Sequence, residues 1–160
     1  MKQKVFDFLQ QKDIPYEVTE HPAVYTMEEM ALVGLDKLGP IPKNLFVRDG
    51  KGRQHFLITA AADTHIDLKV LGEKLGVKKL SFASAERLQQ YLGITAGCVS
   101  PFGVLNDTEH AVTVIFDSKL AGLHKLGVHP NVHNATAWLS FADLCEAIQT
   151  AGNKVQIIDI

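Results

Sequence analysis

One stretch constrains the fold more than any other: residues 43–59, Lys-Asn-Leu-Phe-Val-Arg-Asp-Gly-Lys-Gly-Arg-Gln-His-Phe-Leu-Ile-Thr. Two apolar runs, 44–48 and 55–59, flank a turn with Asp49-Gly50 and Gly52. An Asp-Gly step between β-prone runs closes a hairpin, because glycine enters the positive-φ region that such a turn needs. The spacing therefore predicts two antiparallel neighbours in a sheet. Helical periods surround them. Val5, Phe6 and Leu9 share a face over residues 2–12, and the pattern stops before Ile14-Pro15. Residues 16–20 alternate as a short strand, which His21-Pro22 breaks. Thr26, with Glu28 and Glu29 behind it, starts a helix that runs to about Gly34. Residues 38–42, with two prolines, read as a loop.

Residues 66–75 return to helical period and stop at Gly76. Residues 83–92 form another helix, although Ser84 and Arg87 make no full capping box. Residues 112–116 read as a buried strand, Ser140 caps a helix over 141–149, and 155–158 closes the chain as a strand. The pattern predicts a mixed α/β fold in one domain, 1–160, with a central mixed, largely antiparallel sheet surrounded by helices.

Composition narrows the class of function. With 160 residues, 46% apolar and 21% charged, the chain has the profile of a soluble domain with a sizeable core. Its first residues lack a signal-peptide apolar region, and no apolar run reaches the roughly 20 residues of a membrane span. A cytoplasmic protein with no membrane partner is expected. The two cysteines, Cys98 and Cys145, form no Cys-x-x-Cys pair and read as small buried residues. A net charge of −2 argues against a module that coats DNA or long RNA, but leaves room for contact with a few phosphates. Lys74, Lys78, Lys79 and Arg87 make a candidate basic patch, which a solvated helix face explains equally well.

Three segments carry possible chemistry. Lys43-Asn44 follows two prolines and opens an apolar strand, which places a cation at a strand mouth. It can stabilise a phosphate or a developing negative charge, or it can simply snorkel. Gly97-Cys98-Val99-Ser100-Pro101 is small and glycine-bearing. Such a loop can present backbone amides to a carbonyl, or be an ordinary turn. Ser100 is a weak candidate nucleophile, with no base identifiable beside it. His129 and His133 are four apart, but Pro130 makes a shared helix doubtful and no third zinc ligand has helpful spacing. A pocket-wall or structural histidine fits better. No Walker loop, Gly-x-Ser-x-Gly elbow or His-Glu-x-x-His motif is present.

Taken together, His21-Pro-Ala-Val-Tyr-Thr26, Lys43-Asn-Leu-Phe-Val-Arg-Asp49, Gly97-Cys-Val-Ser-Pro-Phe-Gly-Val104 with Asn106-Asp107, and His129-Pro130 resemble the YbaK/ProX family of aminoacyl-tRNA deacylases. The order and spacing of these pieces carry the resemblance over nearly the whole chain. Lys-Asn-Leu-Phe followed by Arg-Asp is most similar to the ProX/PrdX branch, which edits alanyl-tRNA(Pro). The resemblance implies a trans-editing hydrolase that cleaves the aminoacyl ester of mischarged Ala-tRNA(Pro) with no covalent intermediate and no metal or other cofactor. The alternatives are a deacylase for Cys-, Ser- or Thr-charged tRNA and a non-catalytic module that binds charged tRNA.

The resemblance also implies roles for particular residues. Lys43 holds the tRNA 3′ end, with Asn44 beside it, and Gly97, Ser100 and Pro101 belong to the catalytic loop. Met27, Met30, Val33, Phe102, Gly103 and His129 shape the substrate pocket. The expected partner is the acceptor end of a mischarged tRNA, with prolyl-tRNA synthetase a further candidate. The family often has Asn-Thr-Ala-Thr where this chain has His133-Asn134-Ala135-Thr136. Either a neighbour remakes that contact or the pocket differs.

Overall fold

The computed structural model describes residues 2–160. The chain opens with α1 (Lys2–Gln11), whose Val5 and Leu9 are fully buried one helical turn apart. Then come β1 (Glu17–Glu20) and α2 (Met27–Leu32). Thr26 caps α2, its hydroxyl accepting from the Glu29 amide at 3.1 Å. The helix ends earlier than the sequence pattern implies, because Gly34 turns left-handed at φ 79° and starts a 3₁₀ turn, Leu35–Lys37.

The expected hairpin is β2 (Lys43–Arg48) and β3 (His55–Ala60), with Lys43 opposite Ala60 and Arg48 opposite His55. Asp49 Oδ1 closes the turn by accepting from the Arg53 and Gln54 amides at 2.8 and 3.1 Å. Next are α3 (Leu68–Leu75), β4 (Ser81–Phe82) and α4 (Ala85–Leu92). Ser84 does cap α4, through the Arg87 amide at 3.2 Å, without the reciprocal half of a box. Two 3₁₀ turns follow, Ala96–Cys98 and Pro101–Asn106. The chain ends with β5 (Val112–Asp117), β6 (Leu126–Val128), β7 (Ala135–Leu139), α5 (Phe141–Ala151) and β8 (Val155–Ile158).

The strands form two sheets. The larger has the order β4-β2-β3-β5-β8, antiparallel across β4-β2-β3 and parallel across β3-β5-β8. The smaller is the antiparallel set β1-β7-β6. The mixed α/β class holds, with the second sheet added beside the central one. The main core lies between the two sheets and under α1, α4 and α5, and includes Leu57, Phe102, Phe116 and Leu144, all fully buried. Each such side chain contributes about 1.5–3 kcal/mol of burial. A second cluster, with Val47, Ile58, Leu71 and Ile115, fills the opposite face of the large sheet beneath α3. A third, with Val24, Met30, Leu35, Ile41 and Trp138, seats α2 against the small sheet.

Both cysteines are free. Cys98 is buried, and burial pushes the half-buried Cys145 thiol up to about 11. No helix among the described residues is long and apolar enough to cross a membrane.

Candidate active site

A cleft of about 140 Å³ opens between α2, the start of β2, the turn at residues 96–99 and the β6–β7 connection. That is room for a few waters, or for a small acyl group with one or two of them. The β2 wall carries Lys43 and Asn44. Ile41 and Pro42 are buried and deliver the chain into the strand, so Lys43 sits at its mouth. Its ammonium donates to the Thr64 carbonyl. The Thr64 hydroxyl donates to Asp117 Oδ2 at 2.6 Å, and the Ala61 amide reaches the same oxygen at 3.1 Å. Asp117 is fully buried at the end of β5. Burial alone would raise its carboxyl. The Thr64 hydroxyl, the Lys119 and Ala61 amides and the Lys119 charge outweigh that, and hold it below the usual carboxylate value. A buried carboxylate thus clamps the turn that aims Lys43. Beside it, Asn44 Oδ1 accepts from the Thr59 hydroxyl at 2.6 Å, which leaves the Asn44 amide NH₂ as a donor for the cleft.

The facing wall is made of loops. His129 is buried, and its Nδ1 lies 3.2 Å from the Ala135 carbonyl. A carbonyl only accepts, so Nδ1 carries the proton. Burial, and to a lesser degree the charges of His21 and His133, keep the imidazole below its ordinary value, against the Ala135 hydrogen bond that raises it. The ring is neutral at pH 7, and Nε2 is a buried lone pair with no protein partner.

Three contacts latch this loop to the turn opposite. The Ser100 hydroxyl donates to the His129 carbonyl at 2.5 Å, Asn131 Nδ2 donates to the Phe102 carbonyl at 3.1 Å, and Cys98 Sγ lies 3.4 Å from His133 Nδ1. His133 Nε2 in turn meets the Tyr25 hydroxyl at 2.8 Å. Gly97 is fitted under the Tyr25 ring, where an added Cβ would stand 2.7 Å from Cδ1. The cleft is therefore lined by a cation and an amide donor on one side and by a neutral imidazole with a buried, unprotonated Nε2 on the other.

A family model for the aminoacyl-tRNA editing domain matches residues 21–147, a span that contains every residue lining the cleft. The chain belongs to this family. It is 48% identical over 159 residues to the prolyl-tRNA editing protein ProX of Acetoanaerobium sticklandii, covering 99% of this chain and 97% of that one. It is 34% identical to the mouse prolyl-tRNA synthetase associated domain-containing protein 1, over 89% of this chain and 86% of that one. A solved structure described as a candidate trans-editing enzyme for prolyl-tRNA synthetase superposes with a TM-score of 0.77, at 22% identity, over 99% of this chain and 94% of that one. That match establishes the shared fold.

Within this editing domain, Met27, Met30, Lys43, Asn44, Gly97 and His129 come together around the cleft. Five other residues singled out from the sequence do not line it. Ser100 is fully buried, its hydroxyl donating to the His129 carbonyl and accepting from the Phe102 amide at 3.2 Å. It has no freedom to attack an ester and serves instead as a latch and cap. Pro101 is the first residue of a 3₁₀ turn, a position that suits its fixed φ, and it is buried. Phe102 is fully buried in the main core. Gly103 packs against Leu92 and Ile94, where a Cβ would stand 3.1 Å from each. Val33 caps the end of α2, 39% exposed.

His129 and His133 do not act as a pair, since both His133 nitrogens are engaged by Tyr25 and Cys98. Among the described residues no three His, Cys, Asp or Glu side chains gather in a metal-binding group. Sequence reasoning assigned no role to Tyr25, Ile41, Pro42 or Thr136, which also line the cleft. Tyr25 lay inside the quoted His21–Thr26 motif. Thr136, whose hydroxyl meets His21 Nε2 at 2.9 Å, sits in a strand that carries no periodic signal.

Proposed function

We propose that this chain hydrolyses the ester of mischarged Ala-tRNA(Pro), releasing alanine, and that residues 1–160 work as one editing domain. The observation that carries the reading is a small cleft lined by both Lys43 and His129, the latter with an unprotonated Nε2, in a member of an editing family. Lys43 and Asn44 hold the phosphate and ribose of the terminal adenosine. The α-ammonium of the alanyl group donates to His129 Nε2. Backbone amides of the turn at Gly97 face the ester carbonyl and stabilise the oxyanion as water adds. Cys98 and His133 lie within reach of each other, but Cys98 is buried behind the turn and does not line the cleft. Attack by a positioned water fits better than a covalent intermediate, because an aminoacyl ester is already activated and needs mainly orientation and charge stabilisation.

Alanine is smaller than proline, so a synthetase pocket for proline cannot reject it by size, and a second, smaller pocket is required. Met30, Ile41 and Pro42 are buried in the wall of this one. Forcing the extra methylenes of proline into a well-packed site costs about 1–3 kcal/mol. The working partner is the acceptor end of tRNA(Pro), the setting is the cytoplasm, and prolyl-tRNA synthetase is the enzyme whose errors are corrected.

The deciding measurement is alanine release from Ala-tRNA(Pro) set against proline release from Pro-tRNA(Pro). Alanine is expected to leave about a hundredfold faster. Faster release from Cys-, Ser- or Thr-charged tRNA would reassign the substrate. Binding of charged tRNA without release would make the chain a sensor of tRNA ends.

A further inference from the structure

The hairpin that carries Lys43 at one end carries a cluster of cations at the other. Lys51 and Arg53 are exposed in the β2–β3 turn, and Lys78 and Lys79 are exposed just after α3. The two segments are tied together, the Gly50 amide donating to the Lys78 carbonyl at 2.9 Å, and Gly50 lies against the Lys79 side chain. All four cations border one open depression of about 550 Å³. Its single carboxylate, Asp49, is occupied in capping the turn. The one ion pair among the described residues, Lys2 with Glu20, lies elsewhere, so the four cations have no carboxylate partner. On a chain of net charge −2 this is a pronounced local excess. Lys74 stands apart from it, donating to the Asp159 carbonyl, whereas Arg87 adjoins the turn and donates to the Gly52 carbonyl between Lys51 and Arg53.

An aromatic ring lies between the cluster and the cleft. Phe82, on the edge strand β4, is 64% exposed. It pairs with Val47, and directly opposed residues point to the same side of a sheet. Val47 and Lys43 are four apart on β2, so they share that side too. Phe82 is thus about 13 Å from Lys43 along the strand, and the hairpin turn about 20 Å. At about 3.4 Å per stacked nucleotide, these distances span about four and six nucleotides.

We propose that Phe82 and the cations Lys51, Arg53, Lys78 and Lys79 form the docking surface for the RNA strand that leads into the cleft. Phe82 stacks an unpaired base near the 3′ end, and the cations neutralise backbone phosphates where the acceptor stem begins. The direction of the strand rests on the proposed function, which puts the terminal adenosine at Lys43. The surface itself can be tested without any hydrolysis.

The variant to make combines Lys51→Ala, Lys78→Ala and Lys79→Asn, with Phe82→Ala made separately. Asparagine is chosen because Lys79 has φ 57°, a conformation that asparagine tolerates. Binding of uncharged tRNA(Pro), followed by fluorescence anisotropy over a salt series, should weaken more than tenfold in the triple variant. Its log–log salt slope should become shallower by about 2–3. Phe82→Ala should weaken binding about tenfold. Alanine release from Ala-tRNA(Pro) should fall in parallel, while release from alanyl-adenosine, which lacks the strand, stays at the wild-type rate. Wild-type affinity and slope in the triple variant would overturn the proposal, and so would an equal loss on alanyl-adenosine. Wild-type protein that binds tRNA through this surface but releases no alanine from either substrate would instead overturn the proposed function and leave the surface standing.

Discussion

The two walls of the cleft are held by different forces. The Lys43 wall stands on paired strands and is aimed by a buried carboxylate, Asp117, acting through Thr64. The His129 wall is loop, held by neutral contacts from Ser100, Asn131 and Cys98. A fixed ammonium needs a rigid electrostatic mount, whereas a lone-pair acceptor needs mainly burial and the right tautomer. The first wall should therefore be intolerant of change, and the second should lose function in smaller steps.

The largest effect expected is from Lys43→Ala. Its deacylation rate should fall by about 10²–10³-fold with little change in Tm, and an unchanged turnover would remove the anchoring role. Asp117→Asn comes next, with a cost of about 2–3 kcal/mol in chemical denaturation as the charge-assisted bonds from Thr64 and Ala61 weaken. It should also slow turnover, because the carbonyl facing Lys43 loosens. Ser100→Ala tests the opposite wall. It should cost about 1 kcal/mol and slow the reaction only several-fold. Near-complete loss of turnover in a stable Ser100→Ala protein would restore Ser100 as a nucleophile. Tyr25→Phe, which removes the hydroxyl facing His133, should cost less than about 1 kcal/mol and change the rate by no more than a few-fold.

Acid separates the walls by smaller increments still. The folded His129 value lies below the ordinary imidazole range, so the folded state binds fewer protons than the unfolded chain once pH drops below about 6.5. Stability from this wall begins to fall there, and is fully lost only below the folded value. More than half of the rings are still neutral at pH 6.5, so the enzymatic rate should change by less than about twofold between pH 8 and 6.5. The folded Asp117 value is also depressed. Its contribution is fully present above about 3.9 and disappears only as pH falls through the lower folded value. An acid titration should thus slow deacylation well before the Lys43 mount gives way. The reverse order would mean that the mount is the weaker wall.

Much of this architecture was legible because local chemistry and tertiary structure agree. The Asp49-Gly50 turn, the Thr26, Ser84 and Ser140 caps and the apolar faces of α1, α4 and α5 each have a residue-level signature. Of the small sheet only β1 was read. The strands β6 and β7 are buried at every position and show no alternation, so they lack the period that marks a half-exposed strand. The two-residue β4 is too short to have one. At the site, Lys43, Gly97 and His129 stood out by residue type and order. Phe102 and Gly103 belong to the same motif for a different reason, since they pack the core behind the turn. A motif does not separate residues that touch a ligand from those that hold the loop in place. The link from Asp117 to Lys43 has no local sign at all, because it depends on the parallel pairing of β3 with β5.

That pairing has a consequence for the order of assembly. Thr64 and Asp117 are 53 residues apart, and they meet only after β5 has joined β3. A nascent chain that has emerged only as far as α4 already holds the whole hairpin and its lysine, but not the carboxylate that aims it. Local hairpins close in microseconds, while non-local parallel pairing waits on loop closure. During synthesis the ammonium is therefore supplied early and aimed late, and a growing chain has no finished Lys43 wall until its second half is in place.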